Sequence, residues 1–347
     1  MWKRIVSPPS AAMNRAGWAD VVRTRFQRIV TLAGALVLTA SVDSLSAQPA
    51  GSEAFSFVAL GDMPYRPEDY SKVDRLIDAI NKEKPAFSIH VGDIISGRTL
   101  CSDENLERSA RQLARIDGAL VYTPGDNEWA DCHRPLGGRF DPLERLTKVR
   151  NLMFPEPGRS LGRQPMSVES QSLQMPHFAE FRENVRFVKH GVHFVTAHVI
   201  GSNNNFDPDR AGASEEFARR NKANVAWLDH TFARAIDEEA KALVIAWQAN
   251  AHPATPTPLS DVAFQDIISS VERGASKFQR PVLIIYGDYH FFLLGRFNDV
   301  SGRPIRGVTK LMVFGDTHVH AVRVLVDPDS PGVFGFIPLI VPENGAP

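Results

Sequence analysis

Four short segments of this chain share one design: a run of β-prone apolar residues that stops at Gly-Asp. Phe55–Leu60 runs into Gly61-Asp62, and Phe87–Val91 into Gly92-Asp93. Ala119–Pro124 leads to Gly125-Asp126-Asn127-Glu128, and Val282–Tyr286 to Gly287-Asp288, with His290 two residues further on. A strand that ends in a carboxylate leaves it at the edge of its sheet. Neighbouring strands of this kind converge their carboxylates on one point, where like charges are costly unless a cation sits among them. A single Gly-Asp is an ordinary turn, since both residue types suit one; four strand ends of the same type point to a metal site. Asp62, Asp93, Asp126, Asp288 and His290 would supply ligands for two cations ~3.5–4 Å apart with a water activated between them. Carboxylate-rich ligands favour Mn, Fe, Zn or Mg over copper. The glycine before each aspartate lets the backbone come close to the ions.

The elements that must position these residues follow from the sequence between them. Val73, Leu76, Ile77 and Ile80 recur at helical spacing, and Pro85 ends that pattern. Leu106, Leu113 and Ile116 mark a second helix over about 103–117. With strands at 55–61, 86–92 and 119–123, the rhythm is βαβαβ, which argues for a parallel sheet with helices on its faces. Such sheets bind ligands beyond the carboxyl ends of their strands, where the aspartates fall. Residues 155–190, rich in Pro, Gly and Ser, read as a long loop or lid. A strand-like run follows at 192–200, then an amphipathic helix over about 214–239 and a strand at 242–247 that stops at Gln248. A helix over 260–273 leads to the strand at 281–286, and strands at 290–296, 308–314, 319–326 and 333–340 complete the chain. The reading is one domain over 51–347, with a parallel-rich first half and an antiparallel-rich second half.

Hydrophobic residues make up 43% and charged residues 23% of the 347, which is ordinary for a globular protein with a full core. Beyond residue 50 there are 33 Lys/Arg against 38 Asp/Glu, and this acidic balance argues against a nucleic-acid-binding face. Arg23, Arg25 and Arg28 precede an uncharged apolar stretch from Ile29 to Val42, followed by small residues up to Ala50. The stretch is shorter than the ~20 residues of a spanning helix and reads as a cleaved export signal, leaving no membrane segment in the mature chain. An exported chain, periplasmic or secreted, folds where disulfides persist. Cys101 and Cys132 each follow a Gly-Asp strand end and show no CxxC spacing, so a disulfide between them is expected rather than metal ligation.

The succession strand-Gly-Asp, strand-Gly-Asp, strand-Pro-Gly-Asp-Asn-Glu, strand-Gln and strand-Gly-Asp-Tyr-His resembles that of the calcineurin-like metallophosphoesterases, which include the purple acid phosphatases. The resemblance covers roughly 55–292. It implies an α/β fold of two packed mixed β-sheets flanked by helices, a dimetal centre, and hydrolysis of a small phosphorylated substrate by a metal-activated hydroxide. On this alignment Asp93 is the bridging carboxylate. Asp62 and His290 serve one cation, Asp126, Gln248 and Asp288 serve the other, and Asn127 orients the phosphate. The sequence departs from the family pattern at Pro64, Asn127, Gln248 and Asp288, each standing where a histidine is expected, and at Asp126, which replaces an asparagine. The site is thereby oxygen-rich and nitrogen-poor. A second reading is a catalytically silent relative that binds an anionic or phosphorylated ligand.

Several residues have plainer readings. Gly315-Asp316-Thr317-His318 also ends a strand and competes with 287–290 as the last motif; if 287–290 is the true one, Asp316 is dispensable. His252 is a weaker alternative to Gln248. His198 reads as a satisfied core or loop histidine, and Trp129 and Trp227 as core residues. Asn203–Asn205 make a turn or line the pocket, and His133 and Arg134 lie in a loop or reach an anionic substrate.

Overall fold

The computed structural model describes residues 53–346. The expected export signal lies outside the described residues. Strand β1 (Phe55–Leu60) is followed by α1 (Asp69–Glu83), β2 (Ser88–His90), α2 (Asp103–Leu113), β3 (Leu120–Tyr122) and α3 (Pro142–Met153). Then come β4 (Glu169–Ser170), the single turn α4 (Gln171–Gln174), β5 (Val185–Lys189), β6 (Val192–Thr196) and a second single turn, α5 (Gly201–Asn204). The chain continues through α6 (Ala213–Asp237), β7 (Ala242–Ala246), α7 (Pro258–Phe278), β8 (Val282–Tyr286), β9 (Leu293–Asn298), β10 (Pro304–Met312), β11 (Ala321–Val326) and β12 (Phe334–Leu339).

These strands form two mixed sheets. The first has the order β12-β11-β1-β2-β3 and the second β4-β5-β6-β7-β8-β10-β9. Phe57, Ile89 and Val322 from the first sheet share one apolar cluster with Phe194, Val244 and Ile285 from the second, so the sheets pack face to face. On the outer face of the first sheet, Val58 and Leu60 meet Leu76 and Ile77 of α1, Leu106 of α2 and Val149 of α3. On the outer face of the second, Leu243 and Ile245 meet Trp227 and Phe232 of α6 and Ile267 of α7. Buried on both faces, the central strands read as unbroken apolar runs rather than alternations. The result is the four-layer α/β/β/α arrangement that the resemblance implies.

The division into a parallel first half and an antiparallel second half does not hold. Each sheet has a parallel block, β1-β2-β3 in one and β6-β7-β8-β10 in the other, with antiparallel strands on one side of the first and on both sides of the second. The C-terminal β11 returns to pair antiparallel with β1 and so joins the first sheet. Residues 155–190 supply β4 and β5, which extend the second sheet. The sequence reading had no helix at α3, although Asp141 caps it and Pro142 opens it. The consequence for function is that the parallel strands of both sheets deliver their carboxyl ends to one region.

Candidate metal centre

Asp62, just beyond β1, and Asp93, just beyond β2, both hold left-handed backbone conformations, with φ of 56° and 58°. Asp288 and His290, beyond β8, do the same at 77° and 64°. Non-glycine residues reach that region at a cost, and such residues cluster where a site dictates their direction. The glycines make the approach possible. A Cβ on Gly125 would lie 2.0 Å from Asp93 Oδ1, and one on Gly287 would lie 1.9 Å from Asp62 Oδ2. Each of these glycines leaves room for the carboxylate of another motif.

One ligand atom from each of Asp62, Asp93 and His290 lies within 4.8 Å of the others. His290 Nε2 is 3.7 Å from Asp62 Oδ1. Asp62 Oδ1 accepts the Asp288 backbone N–H at 2.9 Å, while its buried Oδ2 has no hydrogen-bond partner. Burial pushes the Asp62 carboxyl up to about 7 against the lowering effect of His290. Burial, followed by Asp126, Glu128 and Asp62, holds Asp93 well above the usual range. Burial and Asp126 raise Asp288 to about 7. Carboxylates this crowded resist ionising together, and a cation among them removes the penalty. The unpartnered Asp62 Oδ2 and Asp126 Oδ1 are the kind of atoms a cation would satisfy.

The remaining expected residues are placed as follows. Asp126 accepts a hydrogen bond from Ser202 Oγ at 2.6 Å through Oδ2. Asp288 accepts the Asn250 N–H at 2.9 Å. Asn127 donates from its backbone to Asp93 Oδ1 at 3.1 Å and from Nδ2 to Asp93 Oδ2 at 2.7 Å. Gln248 is fully buried, and its Oε1 accepts the Gly201 N–H at 2.6 Å, leaving Nε2 without a partner. That hydrogen bond occupies one of the two lone pairs of the amide oxygen, and the unpartnered Nε2 adds a donor. His252 packs edge-on against Phe297 and belongs to no ligand cluster among the described residues. Trp129 and Trp227 are buried, and buried His198 shares Glu183 with Arg150.

Three residues have roles here that the sequence did not assign to them. Tyr65 donates its hydroxyl to Asp93 Oδ2 at 2.6 Å, accepts from Asn127 Nδ2 at 2.8 Å and meets the His290 ring edge-on. Only the tyrosine three residues after Asp62 could have signalled it. Glu128 is buried and its Oε1 accepts the backbone N–H groups of Gly125 at 2.6 Å and Asp93 at 3.3 Å, with Tyr122 donating to the same oxygen. Asp316 does not compete with the 287–290 motif but contacts it: its Oδ1 accepts from His290 Nδ1 at 2.7 Å. That bond fixes the imidazole so that Nε2 faces the carboxylates, as a carboxylate behind a metal-ligating histidine does. The two Gly-Asp motifs near the C-terminus are thus parts of one arrangement. Cys101 and Cys132 are joined in a disulfide, as expected.

The sequence matches no protein-family model and no curated protein. Among solved structures, the chain is similar to PhoD with a TM-score of 0.50 and 13% identity, over 81% of this chain and 66% of that one. A purple acid phosphatase, PPD1, from yellow lupin seeds matches with a TM-score of 0.47 and 11% identity, over 86% of this chain and 56% of that one. The match therefore spans just under two thirds of the PhoD chain and little more than half of the lupin enzyme. At these identities the likeness is one of fold.

Proposed function

We propose that this chain is a divergent, exported metallophosphoesterase that hydrolyses small phosphorylated substrates with two bound cations drawn from Mn, Fe, Zn and Mg. The observation that carries the reading is the meeting of Asp62, Asp93 and His290 at the carboxyl ends of parallel strands from two sheets. Asp62 and His290 would hold one cation, Asp126 and Asp288 the other, and Asp93 both. When bound, the cations supply charge neutralisation, activation of water and polarisation of the phosphoryl group. The chain's own residues do the rest. Tyr65 and Asn127 fix the Asp93 carboxylate, Asp316 fixes the His290 tautomer, and Glu128 ties the backbone of the second motif to that of the third. Gln248 holds the Gly201 backbone through its oxygen and adds an amide donor beside it. For export, the support is the Cys101–Cys132 disulfide together with the N-terminal sequence pattern. No helix among the described residues is long and apolar enough to cross a membrane.

A second reading, a silent binder of an anionic or phosphorylated ligand, draws on a specific observation. The Asn127 amide and the Gln248 oxygen, at two positions where the family carries histidine, are both engaged in contacts within the protein. Metal analysis of the purified protein, followed by a phosphomonoester and phosphodiester screen with each of the four metals, separates the two. Bound metal with turnover supports the first reading. Saturable phosphate binding without turnover supports the second, and a protein that retains no metal and turns nothing over sinks the first.

A further inference from the structure

A cavity of about 250 Å³ adjoins the candidate metal centre on its Asp126 side. Ser202 belongs to both places: it lines the cavity and donates to Asp126 Oδ2. Arg134 lines it too and donates to Ser202 Oγ at 3.0 Å. The wall is a backbone rarity. Ser202, Asn203, Asn204 and Asn205 are consecutive and all left-handed, with φ between 49° and 60°. Left-handed backbone is disfavoured over a run of such residues, so the turn persists only because its surroundings determine it. Buried Arg220 donates to the Asn204 carbonyl at 2.8 Å, and Asn205 Nδ2 donates to Glu216 at 2.7 Å.

The chemistry of the lining selects a class of occupant. Its two arginines are each matched by an aspartate. Arg134 pairs with Asp131, and Arg210 lies 3.5 Å from Asp207. Matched charges give no net attraction for a second phosphate. They do offer donors beside acceptors, which suits hydroxyl groups, since each hydroxyl both donates and accepts. His133 Nδ1 bonds the Ala130 carbonyl at 2.7 Å, which leaves Nε2 as a further acceptor. Phe206 adds an apolar surface. The volume falls below the ~300–1,000 Å³ of drug-sized ligand sites and limits the occupant to a small group. Resting on the phosphoesterase reading, we infer that this cavity receives the leaving group of the substrate, and that this group is a neutral polyhydroxylated moiety of monosaccharide size. The substrate class is then a sugar or polyol monophosphate.

The test uses the metal-loaded full chain with glucose 6-phosphate and p-nitrophenyl phosphate, the latter lacking hydroxyls on its leaving group. Arg210→Ala removes one donor set, and Asn203→Gly removes a lining amide while keeping the left-handed backbone. Each variant should raise the ratio of KM for the sugar ester to KM for the aryl ester at least tenfold, with Arg210→Lys partly restoring it. Equal movement of both KM values overturns the inference, as does a parent protein with no preference for the sugar ester. If neither ester is hydrolysed, calorimetry with glucose 6-phosphate and inorganic phosphate decides. Tighter binding of the sugar ester, lost in Arg210→Ala, keeps the subsite and fells the hydrolytic reading. Equal binding of the two, or tighter binding of fructose 1,6-bisphosphate than of glucose 6-phosphate, overturns the subsite.

Discussion

On the Asp62 side of the centre, two carboxylates and an imidazole gather within 4.8 Å, and the groups behind them point them inward. Tyr65 and Asn127 hold Asp93, and Asp316 holds His290. On the Asp126 side no imidazole among the described residues makes a hydrogen bond to Asp126 or Asp288. Asp126 accepts from Ser202, Asp288 accepts from the Asn250 backbone, and the Gln248 oxygen accepts from Gly201. Each half keeps one unpartnered oxygen, Asp62 Oδ2 and Asp126 Oδ1, but the first also presents an oriented imidazole, whereas the second gives the other Asp126 oxygen and that of Gln248 to the Gly201–Asn205 turn. The difference teaches that a run of similar strand endings does not make equivalent half-sites, because what lies behind each carboxylate decides what it can still bind. Oxygen-only donors suit harder cations, so the two halves should differ in both affinity and metal preference.

The largest effect should come from the residue common to both halves. Asp93→Asn is expected to abolish metal retention and to lower phosphoesterase activity by ~10³-fold or more, a loss on the scale of removing a central electrostatic group. Far-UV circular dichroism should stay unchanged, because core burial maintains the fold. A variant that binds metal and turns over like the parent breaks the dimetal reading. Next, Asp62→Asn and Asp126→Asn should part company in metal stoichiometry measured at limiting metal. The first should lose the tightly held ion, while the second keeps it and loses only the weaker one. Equal losses would erase the asymmetry. Asp316→Asn tests the group behind the imidazole, and a ~10–100-fold fall in metal affinity or activity is expected. An unchanged variant would return Asp316 to a bystander.

Two predictions concern the frame. Cys101–Cys132 ties the loop after β2 to the loop that carries Asp126 and Arg134, at a sequence separation of 31. Replacing both with serine should cost about 3–4 kcal/mol of stability in denaturant unfolding, and metal should be lost first from the Asp126 side. The smallest effect is a pH dependence at His198. Burial lowers its imidazole to about 4, ahead of the opposing pull of Glu183. Below the ordinary value near 6.5 the unfolded chain takes up a proton that the folded chain refuses, so stability falls as pH drops from about 6.5 to 4. The loss is on the order of 3 kcal/mol. Unfolding of metal-free protein at pH 7 and pH 4.5 should show a smaller difference in His198→Gln than in the parent; equal differences would discount this histidine.

How much was legible follows residue by residue. The apolar runs and their Gly-Asp endings sufficed to place Asp62, Asp93, Asp126 and Asp288 at strand ends, since a strand's period and its turn residues are local properties. The helix at α6, the disulfide and the buried tryptophans were local or compositional in the same way. Pairing was not. That β11 joins β1, and that β6, β7, β8 and β10 run parallel, depends on which apolar faces find each other across long stretches of chain. Asp316 looked like a rival to Asp288 because sequence shows two similar motifs and not the 2.7 Å hydrogen bond that makes them partners. Tyr65 and Gln248 carry the same lesson. The sequence by itself determined which functional groups stand at strand ends, because secondary structure is written in nearest-neighbour patterns. Tertiary packing alone decided which of those groups face one another, and which atom of each remains available for a ligand. Hydrogen-bond geometry depends on distances between residues far apart in the chain, 226 positions in the case of Asp62 and Asp288.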